Sequence, residues 1–175
     1  SESYGSYTGS VNPRMLKNIG ADFVIIGHSE NRKKGENDKL INLKIKSAIQ
    51  AKLKVIFCIG ETLTEKIKKK TQSILSRQIK VGLDGIKNKS NIFIAYEPVW
   101  AIGTGMIPKS KDLFKIIKFI KNKFKDKQPK VLYGGSVSSQ NINSLKEINN
   151  IDGFLIGGAS QNAKKFIDIV KKTYS

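Results

Sequence analysis

Five short apolar runs set the order of this chain, each closed by a polar or glycine-rich turn and followed by an amphipathic stretch. The runs are Phe23-Val24-Ile25-Ile26, Val55-Ile56-Phe57-Cys58-Ile59, Asn91 to Tyr96, Val131-Leu132-Tyr133 and Gly153-Phe154-Leu155-Ile156. Apolar runs this short and this uninterrupted read as strands, and the stretches between them repeat apolar residues at helical period. Asp38 to Ala51 places Ile41, Ile45, Ala48 and Ile49 on one face. Lys109 to Lys125 does the same with Leu113, Ile116, Ile117, Ile120 and Phe124, and the closing helix with Ala163, Phe166, Ile167 and Val170. Thr62 and Glu65 have capping-box spacing, ahead of a helix carrying Ile67, Ile74 and Leu75. Ser138 or Ser139 is expected to cap a helix with Ile142 and Leu145. Regular alternation of strand and helix implies an α/β fold with a parallel sheet and right-handed crossovers. Strands apolar throughout are expected to be covered on both faces. Residues 1–175 are read as a single domain.

In such folds the C-terminal strand ends share one edge, where ligands bind. Here that edge collects Gly27-His28-Ser29-Glu30, Gly60-Glu61, Glu97-Pro98, Gly134-Gly135-Ser136 and Gly157-Gly158. Pro98 stops the third strand, because it has no N–H to give to a ladder. The segment after it, Pro98-Val99-Trp100-Ala101-Ile102-Gly103-Thr104-Gly105-Met106, has a bulky apolar body and a glycine-rich end, the make-up of a lid. Taken alone, Glu97 is equally a surface glutamate at a capped turn, His28 a structural histidine, and each glycine pair an ordinary tight turn. Together they read as a site. Gly103, Ser136, Gly157 and Gly158 offer backbone N–H groups to an anion near helix N-termini, which suits a phosphate monoester. A phosphate grip, a carboxylate base and a histidine electrophile suggest proton abstraction next to a carbonyl.

The formal charge is +18 with pI ≈ 10.0. The lysines are distributed over three helices between core positions, with few interleaved aromatics, so no nucleic-acid partner is expected. No apolar run approaches the roughly 20 residues of a membrane span. One cysteine and one histidine allow neither an internal disulfide nor a metal cluster. Without a second histidine to activate it, Cys58 reads as a packing residue. A cytoplasmic protein without metal or cofactor is expected. Two other classes compete: a non-catalytic phosphate-binding barrel, which needs neither Glu97 nor His28, and a basic nucleic-acid-binding protein.

Several motifs, in order, resemble the triosephosphate isomerase family: Gly5-Ser6-Tyr7-Thr8-Gly9, Gly27-His28-Ser29-Glu30, Cys58-Ile59-Gly60-Glu61-Thr62, Tyr96 through Gly105, Tyr133-Gly134-Gly135-Ser136-Val137 and Gly157-Gly158-Ala159-Ser160. The resemblance covers essentially the whole chain. This family is itself the reference example of a glutamate base, a neutral histidine electrophile and a closing loop. The resemblance therefore implies Glu97 as base, His28 as electrophile and Glu30 as a positioning carboxylate. It implies phosphate contacts at Gly103, Ser136, Gly157 and Gly158, with Tyr133 and Ser136 bonding the closed lid. The implied reaction interconverts dihydroxyacetone phosphate and glyceraldehyde 3-phosphate without cofactor. Tyr7, Thr8 and Gly9 would reach into a second subunit, making the full-length protein a homodimer.

A complete barrel of this type has about 250 residues. The resemblance thus implies a partial (β/α)8 barrel with five of eight strand–helix units, lacking the family's catalytic lysine. The expectation is a truncated record whose isolated 175-residue piece is inactive, with Phe23–Ile26 and Phe154–Ile156 as open edges. Met106 replaces a common family lysine at the lid's C-terminal hinge, where altered packing is expected.

Overall fold

The apolar runs form the strands expected of them. In the computed structural model, which describes residues 8–124 and 127–175, β1 is Phe23–Ile26, β2 Lys54–Ile59, β3 Ile92–Tyr96, β4 Val131–Tyr133 and β5 Gly153–Phe154. All neighbouring pairs are parallel, and the spatial order follows the chain. The last strand is shorter than its apolar run, ending before Leu155. β1 and β5 are the two edges, as the sequence predicts.

Register separates two faces. One row runs Ile26, Phe57, Ile94, Val131. It is buried against Ile41, Ile45, Leu75, Leu113, Ile117 and Ile120 of the helices. The alternate row runs Ile25, Ile56, Phe93. Ile25 stays 50% exposed and Phe23 43%. The expectation of two covered faces therefore fails at this end, because helices cover only one side and the sheet does not close on the other.

The helices are α1 (Pro13–Asn18), α2 (Ser29–Lys33), α3 (Asp38–Gln50), α4 (Leu63–Ile67), α5 (Thr71–Gly82), α6 (Ser110–Lys121), α7 (Ile142–Lys146) and α8 (Ala163–Tyr174). The Thr62–Glu65 capping box forms in full. The helix it opens is split in two, because Lys69 takes a left-handed conformation with φ 54°. Ile67 is consequently left 71% exposed, whereas Ile74 and Leu75 reach the core. Ser138 and Ser139 do not cap α7. Asn141 closes the turn instead, accepting from the Ser138 N–H at 2.9 Å and donating to the Ser136 carbonyl at 3.0 Å. Only Ile169 of α8 is buried, and Phe166, Ile167 and Val170 remain exposed. That helix packs on α7 and on the 3-10 turn at Gly158–Gln161, and its expected stripe stays uncovered. α6 is shorter than its periodic stretch, and Lys125 lies outside the described residues.

Two buried amides tie elements together, one a strand end to a helix and the other α3 to the end of α5. Gln78 of α5 accepts from the Gly60 N–H at 3.0 Å and donates to the Gly60 carbonyl at 3.1 Å. Asn42 of α3 donates to the carbonyls of Gly82 and Asp84. Side-chain amides replace missing backbone partners where the chain leaves the ladder at Gly60 and where α5 ends at Gly82.

Candidate active site

The C-terminal ends of the strands enclose a cavity of about 470 Å³. His28, Glu97, Gly103, Ser136, Gly157 and Gly158 all line it, so six predicted site residues from four strand ends converge. Glu30 does not line it. Its side chain is exposed on the first turn of α2.

Glu97 follows β3, and its backbone N–H donates to the Ile59 carbonyl at 2.8 Å, extending the ladder by one residue. Its side chain is 4% exposed, with Oε1 3.5 Å from His28 Nε2. Oε2 has no hydrogen-bond partner among the described residues. Burial raises the Glu97 pKa from 4.5 to about 7, and the Glu30 charge adds to the rise. The Cys58 thiol and the Arg32 guanidinium act in the opposite sense. Cys58 itself is buried, and its thiol is held protonated first by burial and then by the Glu97 charge, as a packing residue should be.

His28 caps α2. Its Nδ1 accepts from the Glu30 N–H at 3.4 Å, so the ring's single proton in the neutral form sits on Nε2, facing Glu97. Arg32 fixes this corner. Its Nε donates to the Gly27 carbonyl at 2.7 Å and Nη2 to the Cys58 carbonyl at 3.2 Å, and Nη1 pairs with Asp38 at 2.6 Å. One guanidinium thus joins the ends of β1 and β2 next to His28 and Glu97.

The glycines divide into two groups by what a side chain would meet. At Gly134 a Cβ would lie 2.7 Å from Glu97 Cγ, and at Gly135 2.2 Å from the Tyr133 hydroxyl. These two make room for protein atoms, not for an anion. At Gly157 and Gly158 a Cβ would meet nothing within 4 Å. Gly103 is likewise open and has φ +69°, which favours glycine in any case. Among the described residues, Lys165 is the one lysine lining the cavity.

The segment after Glu97 opens with a 3-10 turn at Val99–Ala101. Glu61, 1% exposed, holds its base. Trp100 Nε1 donates to Glu61 Oε1 at 2.9 Å, and the Tyr96 hydroxyl donates to both carboxylate oxygens at 3.1 and 3.2 Å. The Val99 N–H donates to the Glu61 carbonyl at 3.0 Å, and Lys66 sits 3.2 Å from the centre of the Trp100 ring. Burial raises the Glu61 pKa, and the Trp100 and Tyr96 donors oppose the rise. Ser136 grips the far end, donating to the Ala101 carbonyl at 2.6 Å and accepting from the Gly105 N–H at 3.0 Å. Tyr133 does not join it. Its hydroxyl is buried without a hydrogen-bond partner among the described residues. Met106 is half exposed, its N–H donating to Thr104 Oγ1 at 3.3 Å.

A family model described as triosephosphate isomerase matches residues 1–173. The chain belongs to the triosephosphate isomerase family. The enzyme of that name from Thermodesulfovibrio yellowstonii is 48% identical over 177 residues, covering 97% of this chain and 72% of its relative. The one from Chlorobium luteolum is 44% identical, over 97% of this chain and 71% of the relative. The crystal structure of triosephosphate isomerase from Bartonella henselae superposes with a TM-score of 0.90 at 38% identity, covering 99% of this chain and 74% of that one. Against this triosephosphate isomerase background, Glu61, Gln78 and Arg32 are the supporting residues that motif reading passes over. The sequence signals for Glu61 are its place in the Cys58–Thr62 motif and its position two residues after β2, one residue further on than Glu97 stands from β3.

Proposed function

We propose that this protein interconverts dihydroxyacetone phosphate and glyceraldehyde 3-phosphate, with Glu97 as the base and His28 as the electrophile. Glu97 takes a proton from the carbon next to the carbonyl, and His28 Nε2–H donates to the oxygen on which negative charge develops. The same carboxyl returns the proton to the neighbouring carbon. The observation that carries this reading is the pairing of a buried carboxylate with an imidazole 3.5 Å away, in one cavity with the open glycines. A base poised near neutrality by burial suits proton transfer at physiological pH. A pure phosphate binder requires neither group.

Gly103, Gly157 and Gly158 then bracket the substrate phosphate, with the Ser136 backbone beside them and the Ser136 hydroxyl reserved for the lid. The lid, Pro98 to Met106, excludes water from the charged intermediate. Glu30 positions His28 through its backbone N–H. No helix among the described residues is long and apolar enough to cross a membrane, and the protein acts in the cytoplasm. It works as a homodimer through the loop at Tyr7, Thr8 and Gly9. Thr8 and Gly9 are exposed, and Tyr7 lies outside the described residues.

The test is Glu97→Gln in a chain that carries the complete barrel, assayed with glyceraldehyde 3-phosphate. Turnover should fall by about 10²–10⁴-fold, the range general-base catalysis supplies, while a phosphoglycolate-type inhibitor still binds. Unchanged turnover would refute the assignment of the base. Loss of inhibitor binding would instead mean that the substitution disturbs the phosphate end of the cavity.

A further inference from the structure

Outside the cavity, one carboxylate stands between two guanidiniums. Asp38 is the first residue of α3, its side chain is 13% exposed, and it does not line the cavity. Its Oδ1 accepts from Arg32 Nη1 at 2.6 Å, and its Oδ2 accepts from Arg77 Nε of α5 at 3.2 Å. The two arginines differ in what else they hold. Arg77 is 57% exposed, on the outer side of the pair. Arg32 is 18% exposed and uses its remaining donors on the carbonyls of Gly27 and Cys58.

Those two carbonyls belong to the site. Gly27 immediately precedes His28, and the Cys58 thiol hydrogen-bonds the Glu97 side chain. The contact has little slack. A Cβ on Gly27, whose φ is +81°, would lie 3.1 Å from the Cys58 carbonyl oxygen and 3.2 Å from Arg32 Nη2. A planar guanidinium bonded on three sides is confined to one placement. Of its three acceptors, Asp38 alone carries charge, and charge-assisted bonds are the strong ones.

We propose that Asp38 is a positioning residue for the isomerisation: by holding Arg32 it fixes the Gly27 and Cys58 carbonyls, and with them the placement of His28 against Glu97. The proposal rests on Glu97 as base and His28 as electrophile. It has an electrostatic side as well. The groups facing Glu97 are His28, Glu30 and Arg32 from the β1 end and α2, Cys58 from β2, and Gly134 after β4. Arg32 is the permanent cation among them, and its charge favours the Glu97 carboxylate. Asp38 partly cancels that charge. Without it Arg32 acts in full, and Glu97 ionises at lower pH.

The experiment compares Asp38→Asn, Asp38→Glu and Arg77→Gln in a chain that carries the complete barrel, following kcat, KM and the pH dependence of kcat/KM. Asparagine keeps the shape and one acceptor oxygen but not the charge. Asp38→Asn should lower kcat at least about five-fold with KM within about two-fold, because displaced reacting groups lose rate rather than binding. The pH midpoint at which activity rises should fall by at least about 0.3 unit, and Asp38→Glu, which restores the charge, should return it to within about 0.1 unit of the parent. Arg77→Gln breaks the exposed half of the same network and should leave the midpoint in place and kcat within about two-fold. Where Asp38→Asn alone does not fold, Asp38→Asn/Arg77→Gln leaves no second guanidinium unpaired and gives the same readout. The proposal is overturned if Asp38→Asn leaves kcat or the midpoint at the parent value, if its loss falls on KM, if Asp38→Glu fails to restore the midpoint, or if Arg77→Gln reproduces the changes. Unchanged turnover in Glu97→Gln would instead refute the base, and this proposal with it.

Discussion

Two buried glutamates stand at adjacent strand ends and differ in almost everything but burial. Glu61 follows β2 and accepts from Tyr96 and Trp100, so both of its oxygens are bonded. Glu97 follows β3, shares one oxygen loosely with His28 and leaves the other without a partner. Burial raises the pKa of each. At Glu61 donors offset that cost and the carboxylate serves as an anchor for the lid. At Glu97 the Cys58 thiol and the Arg32 guanidinium oppose that cost, yet one oxygen is left without a hydrogen-bond partner among the described residues, which suits the base proposed above. Burial alone therefore does not mark a catalytic acid. Burial with an unused acceptor in a cavity does.

The comparison is tested most severely by the pH dependence of stability. Unfolded Glu97 loses its proton near 4.5, whereas in the fold it keeps it to about 7. Between these values the folded state holds one more proton than the unfolded state, so stability falls as pH rises and the loss is complete above about 7. At roughly 1.4 kcal/mol per pH unit, the cost at pH 8 is about 3 kcal/mol. Glu97→Gln removes it. In urea denaturation the variant should match the parent near pH 4.5 and exceed its stability by about 3 kcal/mol at pH 8. An equal difference at both pH values would mean that Glu97 is not held protonated by burial. The same substitution that is expected to lower turnover is thus expected to stabilise the fold at pH 8.

Glu61 should respond the other way. Glu61→Gln keeps one acceptor for the Trp100 indole and a donor for the Tyr96 oxygen, so stability should change by less than about 1 kcal/mol. Glu61→Ala strands two donors and should cost about 2–4 kcal/mol, at about 1–3 kcal/mol for each unsatisfied group. Trp100 is the chain's one tryptophan, so its emission reports the lid base directly. The emission should shift in Glu61→Ala and stay near the parent in Glu61→Gln. A shift in neither variant would separate Glu61 from the lid.

The strands were legible because their apolar runs are strong and local, and His28 and Glu97 because each stands within two residues of the end of such a run. Glu61 was in equal view, yet its role depends on Trp100, 39 residues away, which no local pattern announces. Gly134 and Gly135 share a turn with Ser136, one of the expected anion contacts, but only the packed structure shows Glu97 and Tyr133 occupying the space their side chains would need. The break between α4 and α5 was invisible, because nothing about a lysine marks Lys69 for a left-handed backbone. The stripe expected on α8 failed for a topological reason: helical periodicity says which residues are apolar, not whether a neighbour exists to bury them.

The smallest effect concerns the other end of the lid, where Ser136 makes the contacts that Tyr133 does not. Its hydroxyl holds both Ala101 and Gly105, so Ser136→Ala removes two hydrogen bonds from a partly exposed contact, worth about 1 kcal/mol each. The lid base at Glu61 stays intact, so the emission of Trp100 should hardly move. The loss should appear in closure, lowering kcat/KM about ten-fold for roughly 1.4 kcal/mol. It should not alter the pH at which activity rises, because Glu97 keeps its surroundings. Glu61→Ala should disturb the lid at its base and Ser136→Ala at its tip, so in the double variant the two losses should add unless the lid moves as one rigid body. A shortfall of more than about 0.5 kcal/mol from additivity would establish that coupling. Simple additivity would make the two glutamate-side and serine-side grips independent, with only Glu61 setting where the lid is hinged.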